Sequence, residues 1–227
     1  MKIYNLFIII LLCIACESSD NYSVKHYGAL RNIMHEGDIS AKVEIDTMET
    51  SNVYALGALA ELKGELTIVN GKTYVSKVVD SMAVIGSSEN VKAALFVFSQ
   101  IHSWDTLSVT GGDDLASLVA SSLKEYGIKA PAPFMVIGKP TAIDYHIVNL
   151  DPKSKDPSDH KKGAFVDTIK NRQLTLLGFY ADDAQGVYTH HSSKTHVHFV
   201  EESSSLTGHV DDVMLGNNEF KLLIPKL

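Results

Sequence analysis

Apolar and polar positions alternate along much of the chain, with the period of two that is typical of half-buried strands. The first such segment covers residues 53–79 and contains two alternating runs separated by Asn70 and Gly71. An Asn-Gly pair between two such runs predicts a hairpin with a type I′ turn. Residues 92–101 are rich in β-branched and aromatic side chains, which predicts a buried strand.

Helical spacing of the apolar residues is clearest over residues 113–128. The apolar positions of this segment are Leu115, Leu118, Val119 and Leu123. Acidic residues precede them and Lys124 follows them, an order of charges that complements the helix dipole. We therefore predict a helix here, and a shorter helix followed by a turn over residues 27–38.

The second half of the chain also predicts strands. Residues 129–133 contain two prolines and mark the expected boundary. The predicted strands beyond it cover residues 134–150, 172–181, 195–200, 207–215 and 219–225. Short turns between successive strands favour antiparallel pairing, whereas residues 151–163 form a charged loop expected in solvent. The sequence thus predicts an α+β fold, with a mixed sheet and helices in residues 26–130 and an antiparallel sheet in residues 131–227.

Composition and charge exclude one class of partner. The 227 residues are 45% hydrophobic and 21% charged, which is typical of a globular protein with one large domain or two small ones. The formal net charge is −7 and no basic stripe is present, so we do not expect nucleic acid as a partner.

The N-terminus resembles that of a bacterial lipoprotein precursor. Lys2 precedes an apolar run over residues 3–15 that is too short to span a bilayer comfortably, as in a secretory signal peptide. Ala15 directly precedes Cys16, as at a lipoprotein cleavage site. The usual pattern has Leu, Val or Ile three positions before the cysteine, where this chain has Cys13.

The prediction is therefore an exported bacterial lipoprotein that faces the periplasm or the cell surface. Residues 1–16 would be the signal peptide and lipobox, with Cys16 lipidated as the only membrane anchor. Residues 17–25 are polar and would form a flexible tether. A plain secreted protein that retains Cys16 unmodified is the alternative.

Three of the ten histidines lie close together in the C-terminal half, two of them in "THVHF" (residues 195–199). Side chains alternate faces along a strand, so His196 and His198 point to the same side. His209 lies one predicted strand later, and antiparallel pairing would bring it opposite them. Three converging imidazoles suit Zn²⁺, or Mn²⁺, Fe²⁺ or Co²⁺, and leave positions open as in a catalytic site. A pair of surface histidines is the alternative.

The remaining histidines show no such pattern. His190 and His191 are adjacent and are expected in a loop, where one of them could support the metal site. Surface positions or ordinary packing are expected for His26, His35, His102, His146 and His160.

Glu65 is the candidate acidic residue. It opens a strand of the predicted hairpin, with Thr67 and Val69 on the same face. A carboxylate that faces inward there could act as a general acid or base, or could support a metal ligand. A solvent-facing glutamate is the alternative.

Two blocks of the sequence resemble the α-acetolactate decarboxylase family. In the C-terminal block, "LLGFY" is followed by "THVHF", a polar turn and "GH", and the separation from His198 to His209 matches the family's metal ligands. The N-terminal block "LGALAELKGELTIVNGKTYV" resembles the family pattern "LGTFNxLDGE" followed by "DGxxYQ". This block retains Gly57, Gly64, Glu65, Gly71 and Tyr74. A third segment, "FMVIGKPTAID", lies where the family has its "FYAIRIDGTF" strand.

The resemblance implies two β-sheet domains, with a metal held by the C-terminal sheet in the cleft between them. It implies that the metal ligands are His196, His198 and His209, and that Glu65 is the active-site glutamate. The expected cofactor is Zn²⁺ or another divalent first-row metal.

The chain departs from the family pattern at three places. Ala58 replaces the family's threonine. Counted without gaps from Phe134, the family's active-site arginine falls on Asn149, which would contact the substrate without a charge. The family's longer C-terminal tail, which supplies a further glutamate, has no counterpart in this sequence.

The implied reaction converts acetolactate (2-hydroxy-2-methyl-3-oxobutanoate) to acetoin and CO₂ through a metal-stabilised enediolate that a glutamate protonates. The departures leave two alternatives open. One is another metal-dependent enzyme on the same scaffold, such as a hydrolase, or a lyase or isomerase acting on a different hydroxy-keto substrate. The other is a metal-binding lipoprotein without catalysis. The expected partner is a small hydroxy-keto acid, and a homodimer is also possible.

Overall fold

Two antiparallel sheets that pack against each other make up most of the computed structural model of the protein. The structure describes residues 22–227, apart from residues 49, 50, 113, 152, 155, 157, 158, 160 and 161. The predicted signal peptide, the lipidation at Cys16 and most of the tether lie outside the described residues. Within those described ranges, no helix is long and apolar enough to cross a membrane.

The first sheet comes from the N-terminal part of the chain. Its seven strands are β1 (Val24–Tyr27), β2 (Val43–Glu44), β3 (Val53–Leu59), β4 (Glu65–Val69), β5 (Lys72–Val79), β6 (Met82–Ile85) and β7 (Lys92–Gln100). They lie in the order β1-β7-β3-β4-β5-β6, with β2 also paired to β7.

The predicted mixed pairing of this first sheet is wrong, because all its described strand pairs are antiparallel. Short turns join β3 to β4, β4 to β5 and β5 to β6, and a parallel pair would need a crossover of a dozen residues or more. The predicted hairpin is the β4–β5 pair, with φ of 49° at Asn70 and 80° at Gly71, as a type I′ turn requires.

The second sheet is antiparallel, as predicted. Its eight strands are β8 (Trp104–Thr110), β9 (Ala132–Gly138), β10 (Ala142–Ile147), β11 (Phe165–Lys170), β12 (Leu174–Tyr180), β13 (Thr195–Glu201), β14 (Leu206–Met214) and β15 (Glu219–Pro225). They lie in the order β11-β10-β14-β13-β12-β9-β15-β8. The two strands that carry the histidine motif, β13 and β14, are therefore neighbours near the middle of the sheet.

Two helices accompany the sheets among the described residues. Helix α1 (Leu30–Glu36) ends at Gly37, which has a φ of 69°. Helix α2 (Leu115–Glu125) begins after Asp114, whose side chain accepts hydrogen bonds from two backbone N–H groups of the first turn. Both helices lie inside the predicted segments, with shorter bounds. Short 3₁₀ turns cover Ile45–Thr47 and Ala60–Leu62.

The chain changes from one sheet to the other earlier than the prolines of residues 129–133 suggest. Strand β8 pairs along its whole length with β15 of the second sheet, and α2 packs into the core of that sheet. The change of sheet therefore falls between Gln100 and Trp104 rather than at the predicted boundary near residue 130. Pairing between β8 and β15 joins residues more than a hundred positions apart, and no local pattern specifies it.

A hydrophobic layer between the sheets positions the functional site. Leu56 and Val97 of the first sheet and Leu177 and Phe179 of the second are fully buried in the same cluster. This packing brings β4 against β13 and β14. Side chains of both sheets consequently meet around His198.

Candidate metal centre

The three histidines of the C-terminal motif converge on one point, as predicted. Strands β13 and β14 are antiparallel, and His198 lies directly opposite His209 in their register. His196 points to the same side, two residues along β13. One ring nitrogen of each residue lies within 4.8 Å of the others. All three side chains are buried, so the surface alternative does not apply.

A chain of hydrogen bonds fixes the proton on His198. The Thr207 hydroxyl donates to the Phe199 carbonyl oxygen (2.7 Å), so its single proton is used there. It must therefore accept from the Thr67 hydroxyl, at 2.6 Å. Thr67, having donated its own proton, accepts from Nδ1–H of His198 at 3.1 Å. The remaining nitrogen, Nε2, then carries a lone pair, as metal coordination requires.

Two buried ring nitrogens of this cluster, Nε2 of His198 and Nδ1 of His196, have no hydrogen bond of normal geometry among the described groups. Burial, reinforced by the neighbouring histidines, lowers the pKa of both imidazoles well below its ordinary value. Backbone contacts with Tyr188 and Leu66 oppose this pKa shift without reversing it. Neutral imidazoles with unpartnered nitrogens are the donor set that a divalent first-row metal needs, so the residues fit Zn²⁺.

Glu65 faces the histidines from the opposite sheet. The residue is 2% exposed, and its Oε2 lies 3.6 Å from Nε2 of His198. Its Oε1 accepts a hydrogen bond from the Val148 N–H at 3.2 Å. Burial raises the pKa of this carboxyl well above its ordinary value, and the charge of Asp211 acts in the same direction. The structure thus brings the sequence-derived glutamate to the site and excludes the solvent-facing alternative.

Asn149 lies outside the described lining of the cavity beside the histidines, and its contact with the substrate stays a prediction. Its side-chain oxygen accepts a hydrogen bond from Lys63 Nζ at 3.0 Å. Val148 lines the cavity beside the histidines, whereas Asn149 is not among the described residues that line it.

His146 joins the site, although the sequence suggested a surface position or ordinary packing. It pairs with His209 in the β10–β14 register, and the centroids of the two rings are 4.7 Å apart. Asp144 pairs with Asp212 and Tyr145 with Val210, so Asp211 forms a β-bulge. The Asp211 carboxylate lies 2.8 Å from Nδ1 of His146.

His146 and Asp211 are functional candidates that the sequence analysis missed. With His209 they form a second group of potential metal ligands. His146 reaches the cluster because β10 pairs with β14, and the bulge at Asp211 sets the register of that pairing. His146 also stands alone in its segment, without the H-x-H spacing that marked the other two histidines.

Two cavities meet at the histidine cluster. One has a volume of about 330 Å³, and its wall is mainly apolar, with Glu65, His146 and His196 among its polar members. The other has a volume of about 890 Å³ and is lined by the start of α2 and by residues 190–195 and 209–213. His190, His191 and His209 line both cavities. A ligand at the histidines would thus have an apolar space on one side and a polar space on the other.

Comparison with known proteins agrees with this geometry. The family profile described as Alpha-acetolactate decarboxylase matches residues 26–224. The chain belongs to this family. No curated protein sequence matches the chain significantly.

Solved structures of α-acetolactate decarboxylases share the fold. The Bacillus subtilis strain 168 enzyme is 18% identical, with a TM-score of 0.70 over 90% of this chain and 86% of that one. The enzyme from Bacillus subtilis subspecies spizizenii is 17% identical, with the same coverage and TM-score. A Staphylococcus aureus protein of unknown function, described as similar to α-acetolactate decarboxylase, is 16% identical, with a TM-score of 0.73 over 90% and 85% of the two chains.

Membership of the α-acetolactate decarboxylase family supports a decarboxylase-like function for this chain. The family confirms the resemblance found in the two sequence blocks. The solved relatives are 16–18% identical, and at that distance their likeness establishes the fold alone. The substrate and the metal therefore have to be inferred from the residues of the site.

Proposed function

We propose that the protein is a metal-dependent carboxy-lyase that decarboxylates a 2-hydroxy-3-oxo acid such as acetolactate. One observation carries the proposal: the buried carboxyl of Glu65 faces the unpartnered Nε2 of His198 inside a cluster of three histidines. A proton-carrying group and a metal-ligand set thereby share one water-poor space. Decarboxylation of a hydroxy-keto acid needs both of these elements.

The metal ligands would be His196, His198 and His209, with Zn²⁺ the expected ion. Burial lowers the pKa of His196 and His198 and favours their neutral forms. Neutral imidazole ligands would leave the positive charge of a dication undiminished. Once bound, a divalent metal supplies Lewis-acid stabilisation of the negative charge that develops on the substrate oxygens. Thr67 holds His198 in the tautomer that presents Nε2.

Glu65 would deliver the proton that completes the reaction. The bond between the carboxylate carbon and the carbinol carbon breaks, CO₂ leaves, and the electron pair moves onto the neighbouring ketone. Protonation of the resulting enediolate at carbon then gives the hydroxyketone, and Glu65 regains its proton from solvent. The Val148 N–H holds one oxygen of Glu65, which leaves the other directed towards the histidines.

Recognition of the substrate carboxylate would differ from that implied by the family arginine. None of the described residues that line the apolar cavity is a lysine or an arginine. A carboxylate is therefore better placed towards the polar cavity, with the rest of the substrate towards the apolar one. This difference favours one second candidate, a lyase or isomerase of the same site acting on another hydroxy-keto compound.

Metal analysis of the purified protein, followed by an acetoin assay with racemic acetolactate, tests the proposal. We expect about one metal per chain and acetoin release, with both lost in the His196→Ala/His198→Ala double variant. His102→Ala is the matched control, because His102 is exposed. Glu65→Gln should keep the metal and lose the activity. Metal without acetoin would reject acetolactate as substrate, and no metal would reject the centre itself.

We also propose that the protein is anchored to a membrane through a lipid on Cys16, which would hold the site in the periplasm or at the cell surface. The lipoprotein pattern of residues 1–16 supports this proposal. Acetolactate made inside the cell would reach such a site only after export or leakage. A homodimer stays a prediction.

A further inference from the structure

The wall of the 330 Å³ cavity beside the histidines is mainly apolar. Among its polar members, Glu65, His146, His196 and His209 lie at the end that meets the histidine cluster. The other polar members are His35, Tyr188, Thr189, His190 and His191. The apolar wall is formed mainly by Leu30, Ile33, Ala58, Leu62, Leu95 and Val148. This apolar part of the wall favours apolar ligand groups, because it offers no partner to a buried polar atom.

The wall is preformed rather than a gap between loose segments. The Leu30 and Arg31 N–H groups donate to the carbonyl oxygens of Val187 and Gly186, both at 2.8 Å, and so fix α1 over the cavity. Ile33 of α1 is only 3% exposed and packs in the layer between the sheets. The wall therefore keeps its shape before a ligand arrives.

Leu62 is held in the wall by an unusual backbone conformation. Its φ is 51°, in the left-handed region that a leucine rarely adopts, and its side chain is only 4% exposed. The neighbouring Glu61 has a φ of 61°. These two residues belong to the turn that precedes the Glu65 strand, and this turn places Leu62 in the cavity wall.

The volume of this cavity exceeds what the apolar part of acetolactate would occupy. An apolar cavity of about 150 Å³ is enough to bind benzene in a protein core. Acetolactate has only two methyl groups to offer, and its other atoms are polar and belong at the metal centre. Most of the hydrocarbon wall would thus remain without a contact.

We infer that this cavity binds a hydrocarbon substituent of the substrate. The preferred substrate is then a 2-hydroxy-3-oxo acid that carries an alkyl or aryl group larger than methyl. This inference rests on the proposed function for the identity of the reacting groups. The binding of an apolar chain beside the histidines can be measured without any turnover.

The test uses two series of compounds and the zinc-loaded protein. The first series consists of 2-hydroxy acids from lactate to 2-hydroxyoctanoate, which lack the 3-oxo group and are not decarboxylated, with affinity measured by calorimetry. The second series consists of acetolactate analogues in which a methyl group is replaced by ethyl to hexyl, with CO₂ release measured. Burial of each methylene should raise the affinity and kcat/KM about fourfold until the cavity is full.

Variants at the cavity locate the effect. Met34 lies at the mouth and is 37% exposed, so a bulkier side chain there need not disturb the core. Met34→Trp should flatten the dependence of affinity on chain length. Met82→Trp is the matched control, since Met82 is 62% exposed on β6 and is not among the described residues of the cavity. Ile33→Trp provides a second variant inside the cavity.

The outcomes separate this inference from the proposed function. If affinity and turnover both rise with chain length, and both dependences flatten in Met34→Trp, the cavity inference and the proposed function are both supported. Acetolactate turnover with no gain along either series overturns the inference and leaves the function standing. Affinity that rises with length, without turnover of any analogue, supports the cavity and rejects the decarboxylase. A flat affinity series without turnover rejects both.

Discussion

The hydrogen-bond chain from Thr67 to His198 predicts a measurable part of the metal affinity. Thr67→Val removes the hydroxyl and preserves the shape of the side chain. The change leaves Nδ1–H of His198 without its acceptor and deprives the Thr207 hydroxyl of its donor. His198 is completely buried, so water cannot readily replace the lost partner.

The expected size of the effect follows from this burial. Leaving a buried hydrogen-bond donor without an acceptor costs about 1–3 kcal/mol. Removing the hydrogen-bond partner of a metal-ligating histidine typically lowers metal affinity by about 10- to 100-fold, which corresponds to about 1.4–2.7 kcal/mol. The two ranges agree, so we expect the zinc affinity of Thr67→Val to fall by one to two orders of magnitude, with the fold retained.

Competition with a chromophoric chelator would measure the zinc dissociation constant, and circular dichroism would confirm folding. Thr67→Ser retains a hydroxyl and should stay close to the parent protein. Thr175→Val is the matched control, because Thr175 is a buried threonine of β12. Parent-like zinc affinity in Thr67→Val would refute the tautomer argument. Equal losses in Thr67→Val and Thr67→Ser would attribute the effect to packing instead.

Three further predictions concern stability and location. The pKa of Glu65 is raised in the folded state, so the metal-free protein loses stability as pH rises above the ordinary carboxyl pKa of 4.5. In thermal scans, metal-free Glu65→Gln should therefore have a higher melting temperature than the metal-free parent, and this difference should grow between pH 5 and pH 8. A difference that stays constant with pH would contradict this prediction. A Cβ at Gly57 would lie 2.0 Å from the Leu95 carbonyl oxygen, so Gly57→Ala should cost about 1–3 kcal/mol in denaturant unfolding; a change below about 0.5 kcal/mol would show that β3 and β7 separate easily. Cys16→Ala should abolish labelling by radioactive palmitate and release the protein from the membrane fraction, and persistent labelling would exclude Cys16 as the acceptor.

Much of the candidate metal centre follows from local sequence pattern. Alternation along a strand places His196 and His198 on one face, and the short connection to the next strand brings His209 opposite them. The Asn70-Gly71 pair fixes the β4–β5 hairpin by the same kind of local rule.

Other parts of the site depend on features that counting along the sequence cannot capture. The β-bulge at Asp211 sets how β10 pairs with β14 and so brings His146 to His209. The family arginine, counted onto Asn149, falls on a residue bound to Lys63 rather than on one that lines the cavity. A shift of one residue in a strand moves a side chain to the opposite face, so ungapped counts lose their meaning across such irregularities.

The sequence by itself determined the strand-rich character of the chain, its two helices, the family, and the histidine triad with Glu65. These properties depend on short-range periodicity and on motifs that a few neighbouring residues define. Only the tertiary structure decided that both sheets are antiparallel, that β8 joins the second sheet, and that Thr67 and His146 reach the site. The physical reason is that these contacts join distant residues, and long-range register is set by packing between the sheets rather than by any local preference.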